Sequence, residues 1–249
     1  MLAHTMPTRL LLPVALAQGL WVRGTTPRLP PARGHRGRCG AGAGAMRVVG
    51  VGDSIVAGVG VDQQRNALVG QFARRLHERS HRPVEWRAHG LNGATSSMIA
   101  QRMAPRAQPA DVYLVSAGVN DVTHGVSARA FASNVALAVG ALQDRSPGAT
   151  VIFTGVPPLE RFPALPWPLG ALLGERARRL QAAAREVLLR EHALCFDFPD
   201  SLPGGGFAAD GFHPAADACG EWAQWLLELW LSRPGVAPSP GREPASPPA

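Results

Sequence analysis

The chain has 249 residues, enough for one domain with a sizeable core, and 46% of them are hydrophobic, which excludes a disordered polymer. Its formal charge is +7, and all the positive side-chain charge comes from arginine because lysine is absent. Six arginines (Arg9, Arg23, Arg28, Arg33, Arg36 and Arg38) lie in residues 1–45 beside no acid, so the rest is nearly neutral and lacks the basic face of a nucleic-acid binder.

Residues 1–45 open with TRLLLPVALAQGLWVRG. The apolar part is shorter than the roughly 20 residues of a membrane span. Ala15 and Ala17 form a small-x-small site of the kind that ends a signal peptide. Five arginines follow it, however, and positive charge tends to stay cytoplasmic. The expectation is a cytoplasmic domain whose arm lies on an anionic membrane surface or packs on the domain itself. The next stretch, TTPRLPPARGHRGRCGAGAGA, reads as a Pro/Gly/Arg linker. Cys39, Cys195 and Cys219 are odd in number and widely spaced, which gives neither a disulfide framework nor a zinc motif and leaves reduced thiols as the reading.

From Met46 short β-rich runs alternate with longer helical ones. Strands are expected at 47–52, 84–89, 111–118, 150–156 and 193–198. Between them, Leu68, Phe72 and Leu76 mark a helix over 65–80, and a short helix follows Thr95. Phe131, Val135, Val139 and Leu142 mark another, and Leu173, Ala177, Leu180, Ala184 and Val187 a long one. A Trp-rich helix spans about 215–231. This alternation predicts an α/β domain over 46–232, with a parallel sheet between two helical layers and ligands at the strand carboxyl ends. Residues 233–249 are Pro/Ser-rich and are expected to be a disordered tail.

The first strand runs into VVGVGDSIVAGVG, which invites two readings. A dinucleotide loop needs G-x-G-x-x-G, but Ile55 stands at the third glycine position after Gly50 and Gly52. A nucleophile reading needs Ser54 at a strand-to-helix turn with a base in reach. The G-x-S-x-G elbow is not met, because Val56 occupies its last place. Alone, such a serine is most often a helix cap.

The other strand ends carry partners. HGLNGATSS holds Gly93, whose backbone N–H is a candidate anion donor, and SAGVND holds Asn120 with its side-chain amide. AADGFHP holds Asp210 and His213, three residues apart, so that the carboxylate can orient the imidazole as base. Singly, Gly93 reads as a turn residue, Asn120 and Asp121 as caps, and His213 as a loop histidine. The set, gathered at separate ends of one sheet, supplies a nucleophile, a base, its orienter and oxyanion donors. His124 just beyond Asn120 reads as a surface histidine, with a place at the mouth of the site as the alternative.

GDSI, NGATS, GVND and DGFH, in that order, resemble the four blocks of the SGNH/GDSL hydrolases over most of residues 46–232. The resemblance implies a flavodoxin-like three-layer α/β/α sandwich with a five-stranded parallel sheet in order 2-1-3-4-5. It implies a triad of Ser54, Asp210 and His213, with the N–H groups of Ser54 and Gly93 and the Asn120 amide as oxyanion hole. It is nearest to bacterial esterases and lipases that release fatty acyl groups, so a small acyl ester or thioester is the expected substrate. No cofactor or metal is called for. VPPLERFPALPWPLGALLG, after the fourth strand, is apolar and stiffened by proline; either it lines an acyl groove, with Phe162, Leu165, Trp167 and Leu169 as candidate contacts, or it is a covering loop packed on the core. A carbohydrate O-acetyl esterase of the same fold and a non-catalytic lipid-binding module are the alternatives.

Overall fold

The computed structural model describes residues 8–198 and 206–233; most of the expected tail, from residue 234, lies outside them. In chain order it begins with helix α1 (Thr8–Thr25) and strand β1 (Arg36–Cys39). Strand β2 (Met46–Gly52) and helix α2 (Leu68–Ser80) follow, then β3 (Val84–Gly90) and the short α3 (Ser96–Met98). Next come β4 (Val112–Ser116), α4 (Val119–Thr123), α5 (Ala128–Arg145) and β5 (Thr150–Phe153). The described chain closes with α6 (Leu169–Arg190), β6 (Leu194–Cys195) and α7 (Ala216–Leu231).

The central strands are apolar on both faces, as strands covered by helices on each side must be. Val48, Val49 and Val51 of β2 are buried, and every residue of β4 is buried. Phe131, Val135, Val139 and Leu142 of α5 and Ala177, Leu180, Ala184 and Leu188 of α6 fill one face of the sheet. Leu68, Phe72 and Leu76 of α2 meet Trp222, Leu226 and Trp230 of α7 on the other. Ser127 caps α5 by accepting from the Ala130 amide at 3.2 Å.

The five-stranded, all-parallel sheet expected from the sequence needs correction. Among the described residues the sheet has six strands in the order β1-β3-β2-β4-β5-β6, and β1 runs antiparallel to β3, with Arg36 opposite Arg87 and Cys39 opposite Val84. The added strand, RGRC, has no apolar alternation to betray it. It forms because the outer edge of β3 offers unpaired backbone groups, which an exposed segment can satisfy without a hydrophobic face of its own. The last strand is only two residues long, against six expected.

The region read as arm and linker thus carries two ordered elements. Ala15 and Val22 of α1 are buried in the α5–α6 core, and Gln18 donates from Nε2 to the Trp167 carbonyl (2.8 Å) while its Oε1 accepts from the Leu169 amide (3.1 Å). The three cysteines are free thiols. Burial pushes Cys195 up to about 11 and Cys219 up to about 12, so both stay protonated near neutrality.

Candidate active site

Ser54 stands two residues beyond the carboxyl end of β2, in a turn fixed by its neighbour Asp53. Oδ1 of Asp53 accepts from the Ser116 hydroxyl (2.9 Å) and the Ile55 amide (3.1 Å), and the Asp53 amide donates to the Ser116 carbonyl (3.2 Å). The approach of β2 to β4 that allows this requires glycine at position 52, where a Cβ would stand 2.3 Å from the Ser116 carbonyl oxygen. Asp53 is almost wholly buried, and burial raises its carboxyl above the ordinary range against the pull of its hydrogen bonds. No acceptor among the described residues takes the Ser54 amide hydrogen.

Gly93 lies in the turn after β3, closed by the Ala94 amide on the Leu91 carbonyl (3.0 Å) and tied to β2 by the Leu91 amide on the Gly52 carbonyl (3.0 Å). Its φ is +83°, and its amide is likewise untaken among the described residues. Asn120, on α4, donates from Nδ2 to the Ala94 carbonyl at 2.9 Å. An amide nitrogen carries two hydrogens, so one is left for a ligand.

Asp121 holds these two loops together. Its carboxylate accepts from the Ser96 amide (3.1 and 3.0 Å to the two oxygens) and from the Ser96 hydroxyl (2.6 Å). Asn134 of α5 donates to the same Ser96 Oγ at 3.0 Å. Asp121 is fully buried, and burial raises its carboxyl despite these bonds. Sequence reading singled out neither Asp53 nor Asp121 for this work; the one available signal is an acid directly beside each polar residue it did select.

Asp210 and His213 sit in a tight loop closed by the Ala208 amide on the His213 carbonyl (2.7 Å). Oδ1 of Asp210 accepts from the amides of Phe212 and His213, both at 3.0 Å, and Oδ2 is 2.6 Å from His213 Nδ1. Burial opposes the charge on Asp210, but the two amides and the imidazole outweigh it and hold the carboxyl below the ordinary carboxylate range. A carboxylate accepts, so it fixes the hydrogen on Nδ1 and leaves Nε2 free to take a proton.

A cavity of about 200 Å³ brings Ser54, Asn120 and His213 together; Asn92 is on its wall, whereas its neighbour Gly93 and Asp210 lie outside the lining. The remaining lining is largely apolar and includes Ile55, Val119, Phe162, Phe207, Phe212 and Trp222. Phe162 packs edge-on against Phe207 (5.3 Å) and Phe212 (5.9 Å). Of the four candidate acyl contacts only Phe162 lines this cavity. Leu165 and Leu169 turn into the core, and Trp167 is 67% exposed beside α1. His124 is exposed and bonds through Nδ1 to the Asn120 carbonyl (2.7 Å), outside the cavity wall.

Comparison with known proteins shows the family. A family model described as the GDSL-like Lipase/Acylhydrolase family matches residues 51–218. A GDSL-like esterase of Mycobacterium tuberculosis is 30% identical over 178 residues, which are 67% of this chain and 56% of that protein. The chain therefore spans little more than half the length of that relative. Among solved structures, a lipase/acylhydrolase from Enterococcus faecalis superposes with a TM-score of 0.56 at 20% identity, covering 74% of this chain and 95% of that one. The psychrotrophic esterase EstA from Pseudoalteromonas, inhibited by monoethylphosphonate, gives a TM-score of 0.56 at 16% identity, covering 75% and 99%. At these identities the two structures share the fold.

Proposed function

The chain belongs to the GDSL-like lipase/acylhydrolase family, and from that premise we propose that it hydrolyses fatty acyl esters or thioesters through an acyl-enzyme on Ser54. The observation that carries the proposal is His213, oriented by Asp210 at 2.6 Å and lining the same cavity as Ser54. In the proposed reaction His213 Nε2 takes the Ser54 proton as Oγ attacks the acyl carbonyl. The oxyanion is met by the untaken amides of Ser54 and Gly93 and the second hydrogen of the Asn120 amide. Each such donor is typically worth about 2.7–4 kcal/mol of barrier. His213 then protonates the leaving alcohol or thiol, and water repeats the cycle on the acyl-enzyme.

The ring-lined wall of Phe162, Phe207 and Phe212 favours an acyl chain over the acetate of a sugar ester. In a p-nitrophenyl ester series, medium or long chains are expected to be cleaved with higher kcat/KM than acetate. A strict preference for acetate would overturn the fatty acyl reading in favour of an O-acetyl esterase. A chain that binds these esters without cleaving them, and that a fluorophosphonate leaves unlabelled, would be a lipid-binding module instead.

We also propose that α1 rests on a membrane surface. No helix among the described residues is long and apolar enough to cross a membrane. The inner face of α1 is buried through Ala15 and Val22, yet its outer face exposes Leu12, Leu16, Leu20 and Trp21, with Arg23 beside them. An apolar face flanked by arginine suits the plane of an anionic bilayer. Each leucine buried in lipid contributes about 1.5–3 kcal/mol. L16E/L20E is therefore expected to weaken co-sedimentation with phosphatidylglycerol vesicles by at least about tenfold. Equal pelleting of parent and variant would overturn this proposal and leave the ester-cleaving one intact.

A further inference from the structure

Helix α1 lies outside residues 51–218, the part of the chain that matches the family, yet it docks at a point that leads to the candidate site. The polar part of that contact is Gln18. Its Nε2 donates to the Trp167 carbonyl (2.8 Å) and its Oε1 accepts from the Leu169 amide (3.1 Å), so one side chain grips the backbone on both sides of Pro168. Leu169 is the first residue of α6, where an amide has no acceptor within the helix. Pro168 precedes it and has no side-chain oxygen with which to cap the helix. Gln18 supplies that cap from α1, across 151 residues of chain.

The segment that Gln18 anchors reaches the loop of Asp210 and His213. The Gly170 amide donates to the Pro166 carbonyl (2.9 Å), and the Leu165 amide to the Phe162 carbonyl (2.9 Å), which closes a turn over 162–165. From that turn the Ala164 amide donates to the Gly211 carbonyl (3.3 Å), and the Phe162 ring meets the Phe212 ring edge-on at 5.9 Å. Gly211 and Phe212 are the two residues between Asp210 and His213. Among the described residues, the other hydrogen bonds of residues 208–213 close within the loop itself. The loop also packs on Gly60, where a Cβ would stand 3.0 Å from the His213 Cβ. Asp210 therefore orients the imidazole within the loop, while the hydrogen bond that ties the loop to the rest of the domain comes from Ala164.

We propose that Gln18 is a positioning residue for His213. By capping α6 and fixing residues 162–169, it holds the 210–213 loop where the imidazole meets the Ser54 hydroxyl. The role given to His213 rests on the ester-cleaving reading; the link from α1 to the loop does not. Such a link carries free energy only if loosening one end changes the other, and that is measurable.

The test compares the full-length parent with Q18A and Q18E. Alanine keeps neither bond. Glutamate keeps an oxygen for the Leu169 amide, and a carboxylate suits a helix N-terminus. In hydrogen–deuterium exchange read by mass spectrometry, the 208–214 peptide of Q18A is expected to exchange about fivefold faster than the parent's, with α2, on the other face of the sheet, unchanged. In p-nitrophenyl butyrate cleavage, assayed well below each melting temperature, Q18A is expected to lose about tenfold in kcat with KM within about twofold, as a misplaced reacting group would give. Q18E is expected to return both readouts to within about twofold of the parent. A lower melting temperature for Q18A with both readouts unmoved would mean that Gln18 only stabilises, and would overturn the proposal. Faster exchange with unchanged kcat, or a Q18E as impaired as Q18A, would overturn it too. A parent that cleaves no ester would sink the ester-cleaving reading and the positioning of a base with it, whereas a cleaving parent with unchanged exchange in Q18A would sink the link alone.

Discussion

Ser54→Ala is expected to lower kcat for p-nitrophenyl ester cleavage by about a million-fold, close to the uncatalysed rate plus what binding and the oxyanion donors supply alone. The size follows from the proposed roles. Without Oγ no acyl-enzyme forms, and His213 has no hydroxyl to deprotonate. The fold should tolerate the change, because the turn is held by Asp53, Ser116 and backbone bonds and not by the serine hydroxyl. Initial rates and the mass of the fluorophosphonate-treated protein check this together. Parent should gain one phosphonyl group and the alanine variant none. Equal labelling, or activity within about tenfold of the parent, would remove Ser54 as nucleophile.

Asp210→Asn should cost about 10⁴-fold in kcat while changing the geometry little. An asparagine oxygen can still accept the Phe212 and His213 amides. Its NH₂ would then face Nδ1, which must turn acceptor, and the hydrogen moves to Nε2 where the base is needed. The same substitution has a pH signature. The folded carboxyl of Asp210 lies below its ordinary value of about 3.9, so its contribution to stability is present above that value and is lost as pH falls through the lowered one. The gap in melting temperature between parent and variant should therefore be widest above about pH 5 and close as the solution is made more acidic. Asp53 and Asp121 act in the opposite sense. Their raised folded values give stability that is greatest in acid and falls as pH rises through them. A gap that stays constant from pH 6 down to the lowest pH the fold survives would show that Asp210 is not the titrating group.

Residue patterns made the helical layers and the central strands readable, because burial of two faces writes valine, leucine and phenylalanine at regular spacing. Strand β1 left no such mark. Its pairing is a matter of backbone groups on the edge of β3, and the glycine under Trp86 that permits it looks in sequence like linker. The docking of α1 was one of two alternatives the sequence left open, and the structure gives it a buried face and a bare one. At the candidate site, the polar residues at strand ends were legible by type and order. The acids beside Ser54 and Asn120 were not, since their work is done through hydrogen bonds between segments far apart in the chain. In the segment between β5 and the start of α6, apolar character alone could not separate Phe162, which faces the cavity, from Leu165 and Leu169, which face the core.

The bonding of Ser96 to Asp121 and Asn134 bears on how this protein could be redesigned. Three segments that converge on the candidate oxyanion donors are laced through one serine, so a substitution there would disturb both donor loops at once. The ring-bearing wall of Phe162, Phe207 and Phe212 is built from other segments and takes no part in that lacing. A library aimed at new acyl preference can therefore diversify the wall freely. Positions 96, 121 and 134 are the ones to hold fixed, as the chassis on which any altered specificity would have to run.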